Sequence, residues 1–126
     1  MKQAGGYVIA FLYGFFLYAL IEITFRGYTH WTMALTGGVV LAVLYDMECR
    51  LTAHCIVRAL LGALFITAME FTVGVFDNLV MGWMVWDYSE VPWNLMGQIC
   101  LPFSALWFVI CLPAGRFCRV IAQRFQ

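Results

Sequence analysis

The sequence predicts an all-α integral membrane protein, with a single transmembrane domain of four helices over residues 1–126. Its composition is the first reason, because the 126 residues are 64% hydrophobic and only 11% charged. Soluble domains carry about 25% charged residues. The second reason is that four stretches are long and apolar enough to cross a bilayer, which takes about 17–25 residues. The length fits one compact unit.

These stretches contain almost no formal charge. Glu22 interrupts the first and Glu70 the third, whereas the second and fourth have no charged residue. The stretches are residues 7–25, 27–45, 59–76 and 91–115. The predicted helices 1 to 4 run roughly over residues 7–25, 31–45, 53–76 and 97–112.

Three features around helix 4 complete the predicted architecture. Segment 78–84 is too short and too amphipathic to span, so we expect it to lie at the interface or to re-enter part way. Pro102 is expected to kink helix 4, and Pro113 to end it. Residues 116–126 then form a short basic amphipathic tail that meets anionic lipid.

The distribution of basic residues predicts the orientation. With four spans, the N-terminal tail, the loop of residues 46–55 and the C-terminal tail share one side. The other side carries only Arg26, and all six other Lys and Arg residues fall on the shared side. Cytoplasmic segments are enriched in Lys and Arg. Both termini are therefore expected in the cytoplasm.

Small residues predict where helices 1 and 2 approach each other. Every fourth residue of helix 1 falls on one face. In lipid, small residues on such a face allow close backbone contact, and the pair Gly37-Gly38 predicts the same in helix 2. The stripe on helix 1 consists of Gly6, Ala10, Gly14, Tyr18, Glu22 and Arg26.

Glu22 and Glu70 lie in similar short sequences, Ile-Glu-Ile-Thr and Met-Glu-Phe-Thr, near the predicted outer ends of helices 1 and 3. A carboxylate at membrane depth is costly, so it usually faces a partner, a cavity or a pathway. Arg26 lies four residues after Glu22 and is its expected partner. We expect both acids to face a shared outer chamber.

The outer side gathers acidic, aromatic and amide side chains in the predicted topology. Such a vestibule suits a cation or polar solute, because carboxylates supply charge and aromatic faces supply cation–π contact. The predicted substrate-binding or ion-binding residues are Glu22, Arg26, His30, Glu70, Asp77, Asn78, Trp86, Asp87, Tyr88 and Asn94.

Two stretches resemble a known family. They are FRGYTHWTM at residues 25–33 and WDYSEVPWNLMGQICL at residues 86–101, with the patterns Glu-x-x-x-Arg-Gly and Trp-Asp-Tyr-Ser…Pro-x-Asn-x-x-Gly. The chain is similar to the small bacterial membrane proteins described as "putative ABC-transporter type IV", or CmpB-like. The resemblance implies a polytopic protein of the bacterial cytoplasmic membrane and a link to transport. No Walker motif is present, so the chain itself is not an ATPase.

Three functions stay open at this point. The first is a small transporter or channel for a cationic or polar solute, acting as a homodimer or higher homo-oligomer. The second is an accessory or structural subunit of a transport complex. The third, less favoured, is a membrane-embedded enzyme acting on a lipid-linked substrate, although Ser89 lacks a nucleophile motif.

The same patterns predict no catalytic residues, metal site or cofactor. The five cysteines form no Cys-x-x-Cys pair and no zinc spacing, and no His-Glu-x-x-His pattern occurs. Seven basic residues balance seven acidic ones, so nothing indicates a nucleic-acid partner. The expected partners are the lipid bilayer, a small solute or ion, and further copies of the chain.

Overall fold

Four helices account for most of the chain in the computed structural model. It describes residues 2–27 and 29–125, and within these it describes the side chains of all but residues 2, 3, 25, 26 and 125. The helices are α1 (Lys2–Arg26), α2 (Trp31–Arg50), α3 (Cys55–Gly74) and α4 (Leu101–Phe125). Each belongs to a helical segment long and apolar enough to cross a membrane. The predicted four-helix integral membrane fold is confirmed.

Glycines bring α1 and α2 into close contact. A Cβ atom added to Gly14 would lie 2.3 Å from the carbonyl oxygen of Gly37, and one added to Gly37 would lie 2.6 Å from Cβ of Tyr18. Neither helix could carry a side chain at these positions without moving apart. The close contact predicted from the stripe on helix 1 and from Gly37-Gly38 is confirmed.

The connection between α2 and α3 is shorter than the sequence indicated. The prediction of a loop over residues 46–55 is wrong for residues 46–50 and for Cys55, because α2 continues to Arg50 and α3 begins at Cys55. Asp46 stabilises this last turn by accepting hydrogen bonds from Tyr7 and from Nε of Arg50, the latter at 2.6 Å. His54 then caps α3, since its ring accepts a hydrogen bond from the backbone N–H of Ile56 at 3.2 Å.

Helix α4 corrects three predictions. It begins at Leu101 rather than at residue 97, so Pro102 lies in the first turn, where proline removes no intrahelical hydrogen bond. Pro113 lies inside the helix and does not end it. The predicted separate tail is therefore the continuation of α4.

Burial explains why α4 continues past Pro113. Cys118, Ile121 and Ala122 are 0%, 6% and 7% exposed and pack into the main core with residues of α1, α2 and α3. This tertiary packing offsets the hydrogen bond that the proline removes. The basic side chain of Arg119 stays on the exposed face of the same turns, so the amphipathic pattern of the tail is retained as part of α4.

The chain between α3 and α4 covers the end of the bundle that is predicted to face outward. A π-helical segment, Val75–Val80, extends α3 directly, and strands β1 (Asn94–Leu95) and β2 (Ile99–Cys100) form a short antiparallel hairpin before α4. We call residues 81–100 the outer loop. Within segment 78–84, Asn78 is buried whereas the residues from 79 onward are exposed. Its position relative to the membrane stays a prediction.

Candidate functional site

A cavity of about 850 Å³ lies between α1, α4 and the outer loop. We call it the outer cavity. Four of the predicted site residues line it, namely Glu22, Trp86, Asp87 and Tyr88. Its remaining described lining residues are Tyr18, Ile21, Phe103, Leu106, Trp107 and Ile110. The cavity is therefore acidic and rich in aromatic rings.

Glu22 supplies the carboxylate on the α1 side of the outer cavity. Glu22 is only 7% exposed, and its Oε1 accepts a hydrogen bond from the hydroxyl of Thr29 at 2.7 Å. Thr29 follows the turn at Gly27, whose φ of +81° is readily adopted only by glycine. The side chain of Arg26, the expected partner of Glu22, lies outside the described part of the chain.

Glu70 lies on a second, smaller cavity of about 350 Å³. The residue is 4% exposed. Its Oε2 accepts a hydrogen bond from the hydroxyl of Tyr88 at 3.0 Å, and its Oε1 accepts one from Nε1 of Trp107 at 3.4 Å. Both donors also line the outer cavity. Glu70 therefore lies behind an aromatic wall and fixes the orientation of two of its rings.

The shared chamber expected for the two acids corresponds to two adjoining cavities. Of these, Glu22 lines the outer cavity and Glu70 the smaller one. The described residues that line both are Tyr18, Ile21, Trp107 and Ile110.

Tyr88 is held by three contacts, of which the hydrogen bond from its hydroxyl to Glu70 is the first. Its ring stacks on Phe103, with centroids 5.0 Å apart and planes at 10°, and its backbone N–H donates to the carbonyl of Gly97 at 2.8 Å. Burial, and secondly the nearby Glu70 carboxylate, raise the pKa of the Tyr88 phenol above its ordinary value. The phenol therefore stays neutral and keeps donating to Glu70.

Asn78 anchors the start of the outer loop. Its Nδ2 donates to Oε1 of Gln98 at 2.7 Å, and its Oδ1 accepts from the backbone N–H of Val85 at 2.6 Å. The indole of Trp86 donates to the carbonyl of Gln98 at 2.9 Å. These contacts fix Trp86 against the cavity, although Asn78 itself is not among the described residues that line it. Asn78 is thus placed as a support for the loop.

Asp77 and His30 form a separate cluster around Thr32. Asp77 is fully buried, and its Oδ2 accepts a short hydrogen bond from the hydroxyl of Thr32. His30 caps α2, and its Nδ1 lies 2.8 Å from the same hydroxyl. Oδ1 of Asp77 has no hydrogen-bond partner among the described residues. This cluster ties α2 to the π-helical segment, away from the described lining of both cavities.

Asp87 and Asn94 shape the turn that carries the aromatic residues. Oδ1 of Asp87 accepts from the backbone N–H of Ser89 at 2.8 Å, which is an Asx turn. Nδ2 of Asn94 donates to the carbonyl of Val91 at 2.9 Å, and its Oδ1 accepts from the N–H of Gly97 at 3.1 Å. The pattern Trp-Asp-Tyr-Ser…Pro-x-Asn-x-x-Gly thus corresponds to a folded loop that presents residues 86–88 to the outer cavity.

Several residues of the site were missed by sequence reasoning. Tyr18 was visible on the small-residue stripe of helix 1 but was not singled out. Trp107 and Phe103 gave no local signal, because aromatic residues are common in spanning helices. Gln98, which is 3% exposed, was a detectable signal as a polar residue inside the apolar stretch of residues 91–115.

Comparisons with known proteins agree with the sequence resemblance. Neither the curated proteins nor the solved structures that were searched contain a match to this chain. The model of the family described as "Putative ABC-transporter type IV" matches residues 4–126. A match over nearly the whole chain shows that the protein belongs to this family.

Proposed function

We propose that this protein is a transporter component that binds a cationic solute in the outer cavity. One observation carries the proposal. Two carboxylates, Glu22 and Asp87, and five aromatic rings converge on this cavity, and the described residues that line it include no basic side chain. The family description links the chain to transport in general terms.

The chemistry of the lining favours an organic cation over a bare metal ion. Aromatic faces attract cations through their quadrupoles, and quaternary ammonium groups are commonly recognised by aromatic cages. Sites for small organic ligands occupy about 300–1,000 Å³. The outer cavity, at about 850 Å³, falls within this range and is far larger than a dehydrated inorganic ion requires.

Glu22 and Asp87 would balance the charge of the solute from two different segments, since one belongs to α1 and the other to the outer loop. Trp86, Tyr88 and Trp107 would supply ring faces. Glu70 would act as a positioning residue, because it holds the hydroxyl of Tyr88 and the indole of Trp107 without lining the outer cavity itself.

Binding of tetraalkylammonium ions to the purified protein tests this proposal directly. Quenching of tryptophan fluorescence is a suitable readout, because Trp86 and Trp107 line the cavity. A series from tetramethylammonium to tetrabutylammonium should show an affinity optimum set by the cavity. Choline should bind at least about tenfold more tightly than its neutral isostere 3,3-dimethyl-1-butanol, a difference of about 1.4 kcal/mol.

Two variants and a matched control connect binding to the cavity. Glu22→Gln and Asp87→Asn should each weaken cation binding by about tenfold. Glu90→Gln removes an exposed acid of the same loop that is not a described lining residue, and it should bind like the wild type. Equal binding of choline and its neutral isostere, or equal losses in all three variants, would show that the cavity is not a cation site.

Uptake of labelled tetraethylammonium into proteoliposomes then separates transport from binding alone. A transporter should give uptake that Glu22→Gln lowers and Glu90→Gln leaves unchanged. Binding without uptake would favour a second candidate, an accessory subunit that presents the solute to another protein. The hydrogen bonds that hold the Glu70 carboxylate between two rings favour this second candidate, since they fit a fixed scaffold. The homo-oligomer and the cytoplasmic position of both termini stay predictions.

A further inference from the structure

At the opposite end of the bundle, a second charged pocket lies between α2, α3 and α4. It has a volume of about 380 Å³. We call it the inner pocket. Three arginines line it, Arg58, Arg116 and Arg119, together with one carboxylate, Glu48. The outer cavity is acidic, whereas the described lining of the inner pocket has a surplus of positive charge.

Glu48 is shared by two of these arginines. Its side chain is 6% exposed, and Oε2 lies 3.2 Å from Nε of Arg58, which is itself only 14% exposed. Oε1 of Glu48 accepts a hydrogen bond from Nε of Arg119 at 2.9 Å and lies 2.9 Å from Nη2 of the same guanidinium group. Both carboxylate oxygens are therefore occupied. A single carboxylate balances the charge of only one of the three guanidinium groups.

Arg116 is the arginine for which the described residues provide no carboxylate. It lines the inner pocket one turn before Arg119, and no ion pair joins it to a described acidic residue. A guanidinium group binds phosphate oxygens through paired N–H donors. Arg116 and Arg119 both line the pocket and are both exposed, so a phosphate group can reach them.

The rest of the pocket is apolar. Leu44 of α2, Ala59 of α3, and Leu112 and Pro113 of α4 line it beside the arginines. A free inorganic phosphate gains nothing from such a surface, whereas a phospholipid carries its phosphate and its acyl chains on the same glycerol. Basic pockets between transmembrane helices are known sites for anionic lipid headgroups.

We infer that the inner pocket is a binding site for an anionic phospholipid, with the phosphate held by Arg116 and Arg119 and the start of the acyl chains on the apolar wall. In the orientation predicted from the basic residues, this end of the bundle faces the cytoplasmic leaflet. The site is independent of the cation proposed for the outer cavity, because the described linings of the two share no residue.

Native mass spectrometry and thermal unfolding of the detergent-purified protein test this inference. The probes are dioctanoyl phosphatidylglycerol, dioctanoyl phosphatidylcholine and inorganic phosphate. The anionic lipid should bind at least tenfold more tightly than the zwitterionic lipid and should raise the melting temperature. Equal binding of the two lipids would overturn the inference, and so would inorganic phosphate that stabilises the protein as strongly as phosphatidylglycerol.

Arg116→Gln is the decisive variant, because no described partner loses an ion pair and the fold should be retained. It should weaken binding of phosphatidylglycerol by about tenfold. Arg124→Gln is the matched control, since Arg124 is an exposed arginine of the same helix and is not a described lining residue of the pocket. It should bind within about twofold of the wild type. Unchanged binding in Arg116→Gln, or an equal loss in Arg124→Gln, would show that the attraction is general and not a site.

Discussion

The surroundings of Glu22 and Glu70 differ, although the two acids lie in nearly the same short sequence motif. Glu22 lines the outer cavity and accepts a hydrogen bond from a threonine hydroxyl. Glu70 lies behind the cavity wall and accepts from two aromatic donors, Tyr88 and Trp107. The difference teaches that a short sequence motif can determine whether an acid is buried. The residues that contact the acid from distant segments determine its role.

The two acids are also held in place by different interactions. The helix of Glu22 is fixed to α2 by backbone contact at Gly14 and Gly37. The carboxylate of Glu70 is fixed by hydrogen bonds to the outer loop and to α4. The region of Glu22 should therefore be sensitive to added volume, and the region of Glu70 to the loss of an acceptor.

The largest expected effect comes from adding volume between α1 and α2. Gly14→Val places a branched side chain where even a Cβ atom would lie 2.3 Å from the Gly37 carbonyl. Overpacking of this kind costs about 1–3 kcal/mol or more, and here a backbone atom blocks relief. We expect a large drop in melting temperature and in the yield of monodisperse protein. Leu12→Val, on the exposed face of the same helix, is the control.

An unchanged melting temperature in Gly14→Val would contradict the close approach of α1 and α2. It would also remove the basis for the comparison, because the position of Glu22 on the outer cavity depends on this contact.

The next largest effect concerns the acceptor role of Glu70. Glu70→Leu leaves the Tyr88 hydroxyl and the Trp107 N–H without their acceptor, and each buried donor left unpaired costs roughly 1–3 kcal/mol. We expect destabilisation of about 2 kcal/mol, measured by denaturant or thermal unfolding. Glu70→Gln keeps a carbonyl acceptor and should lose less. Equal stability of Glu70→Leu and the wild type would contradict the proposed positioning role of Glu70.

A crossed pattern between the two acids sharpens the comparison further. Glu22→Gln should weaken tetraethylammonium binding by about tenfold with little change in stability. Glu70→Gln should weaken binding by only about threefold, through less well positioned rings, while lowering stability more than Glu22→Gln does. Parallel measurements of affinity and melting temperature on both variants test this ranking. Identical changes in both quantities would mean that the two acids share one role.

The smallest expected effect is the alkaline behaviour of Tyr88. Its raised pKa means that the folded state keeps the phenol protonated while the unfolded state ionises near pH 10. The stabilisation is fully present below pH 10 and is lost as the pH rises above it. Tyr88→Phe should therefore show a shallower loss of stability between pH 10 and 11, with a linkage slope that is smaller by about 0.5–0.9 proton. If the stability of Tyr88→Phe and that of the wild type fell with the same slope between pH 10 and 11, this would argue against a buried phenol at Tyr88.

Much of the fold was predictable because the bilayer imposes strong rules on sequence. Long apolar stretches predicted all four helices, and the stripe containing Gly14 predicted the contact with α2. The errors lie at helix ends. Pro113 is accommodated inside α4 because Cys118 and Ile121 pack into the core, and no local pattern reports such packing.

The candidate site was predictable only in part. Glu22, Trp86, Asp87 and Tyr88 meet at the outer cavity, which the outer-side acids and aromatic residues of the sequence indicated. Trp107 was missed because its role depends on Glu70 of another helix. Arg116 and Arg119 of the inner pocket were assigned to a lipid-facing tail. Arg58 was counted only for the orientation, since it lies far from the other two in sequence.

By itself, the sequence determined that the chain is a four-helix membrane protein with two acids in its apolar helices. The reason is that hydropathy and charge are local properties of the sequence, and they decide directly which segments are stable in a bilayer. Only the tertiary structure decided that Glu22 meets a cavity and Glu70 meets two ring donors. The physical reason is that hydrogen-bond partners and enclosed space are made by segments distant in the chain. Their mutual distances are fixed only when the helices pack.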